Sequence, residues 1–206
     1  MRVVPAAWWY AGPLVALAVV SFIVAPFLSM LLGAVALGVL GFFRDPSRSA
    51  PNHGIVSPAD GRISVIRREG DRIRVGVYMN ILNVHVNRAP TTGTVRQVEH
   101  RSGAHRPAFS KDSERNERVV MELVTDDDTV GIELIAGTIA RRIHPYVAAD
   151  DAVSRGDRIG HIAFGSRADV VLPPQYSIED ILVEEGERVR GGETIVAISH
   201  GGEHSP

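Results

Sequence analysis

The beginning of the chain is almost entirely apolar. No charged residue occurs from Val3 to Phe43, and the stretch from Gly12 to Phe43 is longer than the roughly 20 residues that one membrane-spanning helix needs. Pro26 lies near the middle of this stretch, where the missing N–H of proline interrupts a helix. The pattern therefore predicts two short helices joined near Pro26, each slightly short for a full crossing.

Residues 1–45 are predicted to form a membrane anchor, a helical hairpin in the bilayer. Trp9 precedes the apolar stretch and Phe43 ends it, and amphipathic rings favour the membrane interface. Arg2 and Arg44 place positive charge at both ends, which for a hairpin predicts a cell-membrane protein whose remaining chain lies on the cytoplasmic side. A signal peptide fits less well, because its apolar region is typically about 7 to 15 residues long.

Beyond the apolar stretch, short apolar runs alternate with turns. A polar, proline-containing linker starts a second predicted domain, residues 46–206. The runs that follow are rich in Val and Ile and are bounded by Gly, Asp or Pro, as β-strands are. They cover residues 61–66, 72–79, 93–99, 118–124, 130–135, 158–164, 169–172 and 194–198. No long stretch here has a 3.6-residue period, so we expect a mainly β, antiparallel domain with at most one or two short helices.

Two segments of this domain, 153–159 and 189–195, have similar sequences. They resemble the hairpin turns of biotinyl- and lipoyl-type domains, which implies an antiparallel fold like the barrel-sandwich hybrid. The same resemblance offers an alternative function, a non-enzymatic carrier or binding module. Such carriers present a lysine at a hairpin tip, and neither segment contains one. The carrier function is therefore disfavoured.

Composition excludes several kinds of chemistry. The formal charge of −2 gives no basic field for nucleic acid, so no nucleic-acid partner is expected. The absence of cysteine excludes thiol catalysis and thiolate metal sites, and no histidine–carboxylate spacing predicts a metal. Of 22 basic residues only Lys111 is a lysine, which makes a lysine-bound pyridoxal phosphate improbable.

The sequence Phe164-Gly165-Ser166-Arg167 offers a different source of an electrophile. A serine hydroxyl can attack the carbonyl of a preceding glycine and convert the peptide bond into an ester. Elimination would then cut the chain and leave a dehydroalanine, which water converts to a pyruvoyl group with release of ammonia. The pyruvoyl group is a ketone that accepts electrons as pyridoxal phosphate does. A Gly-Ser pair by itself is more often an ordinary turn. The surroundings decide between the two interpretations.

Five ordered blocks of sequence lie between Phe42 and Pro173: Ser57-Pro58-Ala59-Asp60-Gly61, Asn83-Val84-His85-Val86-Asn87-Arg88-Ala89-Pro90, Asn116-Glu117-Arg118, Ala136-Gly137 with Ala140-Arg141-Arg142-Ile143, and Phe164-Gly165-Ser166-Arg167-Ala168-Asp169-Val170 with Leu172-Pro173. In this order they resemble the blocks of phosphatidylserine decarboxylase proenzymes, in the short form of archaea and actinobacteria. The last block contains the self-cleavage site of that family.

The resemblance implies a self-cleaving enzyme. Cutting between Gly165 and Ser166 would give a β chain, residues 1–165, and an α chain, residues 166–206, which stay together as a heterodimer; a homo-oligomer is left open. The implied cofactor is a covalent pyruvoyl group derived from Ser166. The implied reaction is decarboxylation of phosphatidylserine in the bilayer to phosphatidylethanolamine, with archaetidylserine as the alternative substrate.

The resemblance also assigns roles to particular residues. His85 is expected to act as acid or base, and Asp60 to orient or charge a histidine during self-cleavage. Some longer relatives have a second histidine where this chain has Arg88, so either His85 serves both steps or His144 approaches. Guanidinium groups match phosphate and carboxylate, which makes Arg88 and Arg167 candidates for binding the lipid head group.

Overall fold

The computed structural model describes residues 2–104, 115–126, 128–138, 142–163 and 166–199. The chain divides into two compact units, residues 1–47 and residues 48–206.

The first unit is a pair of helices. Helix α1 spans Ala7–Ser21 and helix α2 spans Pro26–Phe42, so the two predicted helices are present and separate just before Pro26. Pro26 occupies the first turn of α2, where its missing N–H needs no partner. Strand β1, Arg2–Val3, pairs antiparallel with strand β2, Arg44–Asp45, and joins the two ends of the unit.

The helices expose apolar side chains. Ile23, Val24 and Phe27, at the turn between them, are each at least 85% exposed. The hydroxyl of Ser29 donates a 2.8 Å hydrogen bond to the carbonyl of Ala18 and ties one helix to the other. Among the residues that the structure describes, no helix is both long and apolar enough to cross a membrane.

The second unit is mainly β and antiparallel, as predicted. The described strands are β3 Ile55–Val56, β4 Gly61–Glu69, β5 Arg72–Met79, β6 Val86–Arg88, β7 Gly93–Arg101, β8 Arg118–Val124, β9 Thr129–Ala136, β10 Ile143–Pro145, β11 Ala152–Val153, β12 Arg158–Ile162, β13 Ser166–Leu172, β14 Arg188–Val189 and β15 Ile195–Ala197. A short 3₁₀ turn, Ile178–Asp180, interrupts them.

Eight of these strands form one curled sheet, in the order β11-β7-β8-β9-β13-β5-β4-β14. Register shifts interrupt the β4–β5 and β7–β8 ladders, and bulges of this kind bend a strand and increase its twist. Strands β10, β12 and β6 form a second, three-stranded sheet, and β15 pairs with β3. Strand β6 belongs to the three-stranded sheet, and His85 directly precedes it in the sequence.

Strand β13 is a central strand of the large sheet. It pairs antiparallel with β5 on one side and with β9 on the other, and all seven of its residues are buried. Its alternate side chains Ala168, Val170 and Leu172 belong to the hydrophobic core. Because both edges of β13 are paired and its alternate side chains pack in the core, its backbone is fixed along its length, including the end at Ser166.

The opposite face of β13 carries charge. Asp169, which is fully buried, accepts a 2.9 Å hydrogen bond from Arg74 of β5. Arg74 also bonds Glu69 at 2.8 Å and Glu133 at 3.0 Å, and Arg118 of β8 reaches Glu133 at 3.0 Å. These ion pairs cross five adjacent strands, from β8 to β4, so buried charge is neutralised locally on this face.

Candidate active site

Ser166 is the first residue of β13. It lies opposite Met79 of β5 and Ala136 of β9, and it is fully buried. Its hydroxyl lies 3.9 Å from the sulfur of Met79, a weak acceptor in an otherwise apolar setting. The sheet thus holds this hydroxyl in a fixed place away from bulk water.

Asn87 is the second polar group at this place. It belongs to β6, it is fully buried, and its Nδ2 also lies 3.9 Å from the Met79 sulfur. Its Oδ1 has no hydrogen-bond partner among the described residues. A buried amide without a partner is destabilising, and native proteins keep few such groups. We therefore regard Asn87 as part of the site, although the sequence analysis gave it no role.

His85 precedes β6 and is almost fully buried. Its Nδ1 lies 2.9 Å from the carbonyl oxygen of Asn83, which only accepts, so Nδ1 carries the proton and Nε2 is the basic nitrogen of the neutral ring. The backbone carbonyl of His85 accepts a hydrogen bond from Ile162, near the end of β12. His85 lies two residues before Asn87, just before β6 begins.

Asp60 lies at the edge of this region. Its carboxylate accepts two hydrogen bonds from Arg48, at 2.7 and 2.9 Å, and one from the amide of Gly191 at 2.8 Å. The Nδ1 of His85 is bonded to Asn83 and not to this carboxylate. The structure therefore pairs Asp60 with a guanidinium, and a role for Asp60 in charging a histidine stays a prediction.

The two predicted head-group arginines lie in buried surroundings. Arg167 forms a double ion pair with Asp169, with both N–O distances at 2.8 Å. Because neighbours on a strand point to opposite faces, Arg167 lies on the other face of the sheet from the Ser166 side chain. Arg88 donates to the carbonyl of Gly156 at 3.1 Å and is also buried.

His144 belongs to a second group of rings. It stacks on His161 with a centroid distance of 4.7 Å, and the hydroxyl of Tyr146 lies 2.8 Å from His161 Nδ1. Burial, with smaller contributions from the neighbouring His144 and His85, lowers the pKa of His161 to about 4. His161 therefore stays neutral at physiological pH, which the sequence analysis did not anticipate.

Some predicted features lie outside the described residues. Gly165, and with it the bond to be cleaved, is one of them, as are Phe164, Lys111 and Arg141. Within the described ranges, no three His, Asp or Glu side chains are grouped so as to hold a metal. In the described part of the site, the Ser166 hydroxyl and the Asn87 carboxamide meet at the Met79 sulfur, and His85 lies two residues before Asn87.

Comparison with known proteins identifies the relatives of the chain. Residues 36–197 match the profile of the family described as phosphatidylserine decarboxylase, so the match spans every candidate site residue. The chain is 53% identical over 194 residues to a Halobacterium salinarum protein named as an archaetidylserine decarboxylase proenzyme, covering 94% of this chain and 97% of that one. It is 48% identical over 162 residues to a Streptomyces avermitilis protein named phosphatidylserine decarboxylase proenzyme, covering 78% and 74%. The resemblance seen in the sequence is confirmed, and the chain belongs to the phosphatidylserine decarboxylase family.

Proposed function

We propose that the protein removes the carboxyl group from the serine head group of a glycerophospholipid, leaving an ethanolamine head group. The relatives named as proenzymes support a chain that is processed before it acts. The observation that carries the proposal is the placement of Ser166, a fully buried hydroxyl at the start of a central strand. Self-cleavage between Gly165 and Ser166 would turn this residue into a pyruvoyl group.

The residues around Ser166 fit such a group. A pyruvoyl ketone accepts the electron pair that the departing carboxyl group leaves behind, as other electron-accepting cofactors do. Asn87 offers a buried carboxamide next to the same methionine sulfur as Ser166, and within the described part of the chain its Oδ1 has no hydrogen-bond partner. Because an amide can both donate and accept, Asn87 can bind the ketone oxygen or the amine nitrogen of the substrate.

The proton chemistry is assigned to His85. Loss of carbon dioxide leaves a carbon that must take up a proton, and histidine is the side chain best matched to this task near neutral pH. The bond from Nδ1 to the carbonyl of Asn83 fixes the ring and makes Nε2 the basic nitrogen, to which we assign the proton transfer. Burial of His85 and Ser166 excludes water, which strengthens polar interactions with the substrate.

The lipid remains to be chosen between two substrates with the same head group. We propose phosphatidylserine as the substrate, with archaetidylserine as the second candidate. The second candidate is favoured by a specific observation, since the Halobacterium salinarum relative that carries that name is 53% identical over 94% of this chain. Parallel assays on the two lipids distinguish them.

We further propose that residues 1–45 anchor the enzyme in the cell membrane, with the catalytic domain on the cytoplasmic side. The exposed apolar side chains of the turn between α1 and α2 support this proposal, as does positive charge at Arg2 and Arg44. Helices of 15 and 17 residues suit a hairpin that dips into the bilayer.

For the second unit, we propose a relationship to barrel-sandwich-hybrid domains, based on the similar turns at Gly156 and Gly192, both of which have positive φ.

The intact mass of the purified protein under denaturing conditions tests the proposal. We expect two chains divided between Gly165 and Ser166, the smaller one lighter than its serine-started form by the loss of ammonia. The Ser166→Ala variant is expected to remain one chain without activity. Release of carbon dioxide from the serine lipid by that variant would refute the mechanism, and a single uncut wild-type chain without activity would favour a binding module instead.

A further inference from the structure

A surface depression of about 520 Å³ lies beside the site. It is lined by Asp60, Gly61, Arg62, Asn80, Leu82, Asn83, Arg188, Val189 and Arg190. Two of these residues connect it to the reacting groups. Asn80 directly follows Met79, which lies opposite Ser166, and Asn83 accepts the hydrogen bond from His85. The depression therefore lies at the surface, next to residues that adjoin Met79 and His85.

Two arginines of the depression face each other. Arg62 of β4 and Arg188 of β14 are directly opposite in the antiparallel ladder, and both are exposed. Like charges in opposite positions of a ladder repel each other and destabilise the pairing. Arg190 adds a third guanidinium to the same lining, with its side chain 75% exposed. An anion between these groups would relieve the repulsion.

The carboxylates nearby do not cancel this charge. Asp60 is already bound in a double ion pair by Arg48. Glu193 pairs with Arg48 at 3.1 Å and lies 3.9 Å from Arg190. The two carboxylates thus share Arg48 between them, and positive charge is in excess at the depression.

The rim of the depression is apolar. Ile81 and Leu82 lie in the loop between β5 and β6, and they are 58% and 77% exposed. The amide of Leu82 donates to the side chain of Asn80, which holds the loop in a turn. Two exposed aliphatic side chains beside a cluster of arginines match the boundary between the acyl chains and the phosphates of a bilayer.

We propose that this depression binds the phosphodiester of the lipid substrate, with Ile81 and Leu82 against its glycerol and acyl region. The inference rests on the proposed function and assigns the phosphate to Arg62, Arg188 and Arg190. Guanidinium groups bind phosphate through paired hydrogen bonds. The arginines predicted from the sequence, Arg88 and Arg167, are buried and form contacts within the protein. Arg62 is exposed, and its Nη1 donates a 2.6 Å hydrogen bond to the carbonyl of Gly186, which orients the guanidinium group.

The test compares the steady-state kinetics of full-length variants on the serine lipid in nonionic mixed micelles. For the double variant Arg62→Gln, Arg188→Gln we expect KM to rise by roughly tenfold or more, the loss that removal of a hydrogen bond to a charged group produces, with kcat nearly unchanged. The control is Arg68→Gln, which removes an exposed arginine from the same strand β4 without touching the depression. Equal KM values for the double variant and this control would overturn the proposal.

Two further experiments are needed. One distinguishes binding of a lipid phosphate from binding of a soluble phosphate ester, and the other tests the binding site independently of the proposed function. Leu82→Ser is expected to raise KM for the lipid in micelles and to leave binding of water-soluble glycerophosphoserine unchanged. Calorimetric binding of glycerophosphoserine to uncut Ser166→Ala protein tests the arginines without any turnover. Loss of this binding in the double variant supports the site even if wild-type protein releases no carbon dioxide, in which case only the proposed function fails. Undiminished binding refutes the site. If the double variant does not fold, Arg188→Gln alone, at an exposed position, serves the same comparison.

Discussion

At the scale of single residues, a substitution of Asn87 can separate an effect on stability from an effect on activity, because the Oδ1 of its carboxamide has no hydrogen-bond partner among the described residues. Replacing Asn87 by Leu removes a buried acceptor that has no partner among the residues that the structure describes, so we expect the free energy of unfolding to rise by about 1–3 kcal/mol. Loss of an oriented polar group at a reacting centre should lower the rate of decarboxylation on the order of 100-fold. Urea unfolding in the uncut Ser166→Ala background and turnover of the processed chain measure the two effects.

Asn116→Leu is the matched control. Asn116 is equally buried, but its Nδ2 donates a 2.8 Å hydrogen bond to the carbonyl of Ala136. The same substitution there should therefore destabilise the protein. If Asn87→Leu destabilised the fold as much as Asn116→Leu did, Asn87 would be a structural residue only.

Sequence motifs identify some residues of the site and not others. Ser166 and His85 stand in blocks that resemble a known family, and the structure buries both. The role of Asn87 was not predicted, because it depends on the contact between Asn87 of β6 and Met79 of β5, and no local sequence pattern indicates that contact. The position of Arg167 could have been anticipated, because a residue next to Ser166 on a strand must point to the opposite face.

At the scale of elements, the charged face of the large sheet predicts a contribution to stability that depends on pH. Burial alone would raise the pKa of Glu133, but hydrogen bonds and charges from Arg74 and Arg118 outweigh it and hold the pKa below its usual value. A carboxylate with a lowered pKa stabilises the fold above its unfolded pKa of about 4.5, and this stabilisation is lost as the pH falls further.

We therefore expect Glu133→Gln to destabilise the protein by about 1.5–3 kcal/mol at pH 7, the range for hydrogen bonds to charged groups. The difference from wild type should shrink below pH 4.5, because the wild-type side chain then loses its charge as well. Urea unfolding followed by circular dichroism at several pH values measures it. Glu99→Gln is the control, since Glu99 pairs with Arg101 on the exposed surface and should matter little. A constant difference at all pH values would contradict the assignment.

The paired rings of β10 and β12 predict a second dependence on pH. Burial, with smaller electrostatic contributions from His144 and His85, lowers the pKa of His161 from 6.5 to about 4. Between these values the unfolded chain binds a proton that the folded chain does not, so stability should fall as the pH decreases from 6.5 to 4. In His161→Gln this slope should be shallower. Thermal unfolding across that range measures the slope, and a slope in His161→Gln equal to that of the wild type would contradict the assignment.

The length of an element decides how well its sequence predicts it. The runs 72–79 and 118–124 have the bounds of β5 and β8, because eight or seven residues provide enough apolar and β-branched positions to indicate a strand. Strand β6 has three residues, and β3 and β14 have two each. These short strands form because neighbouring strands pair with them, and no local sequence pattern predicts them.

At the scale of the whole molecule, the order of strands matters more than their number. The sequence indicates antiparallel strands, but it does not reveal that β13 lies between β5 and β9, since those pairings join distant parts of the chain. This order puts Ser166 between two strands that precede the cleavage site. The remaining strands after that site follow the same rule, because β14 pairs with β4 and β15 with β3.

The final prediction concerns the two products of cleavage. Every described strand after residue 165 pairs with a strand before it, so cutting the chain removes one covalent bond and leaves the ladders of β13 intact on both sides. We expect the two pieces to elute together in size-exclusion chromatography of the detergent-solubilised protein under native conditions. In urea, the small piece should leave only at the concentration where circular dichroism reports loss of the sheet. Release of residues 166–206 in native buffer, or well below that concentration, would mean that β13 is not held by its neighbours as the structure indicates.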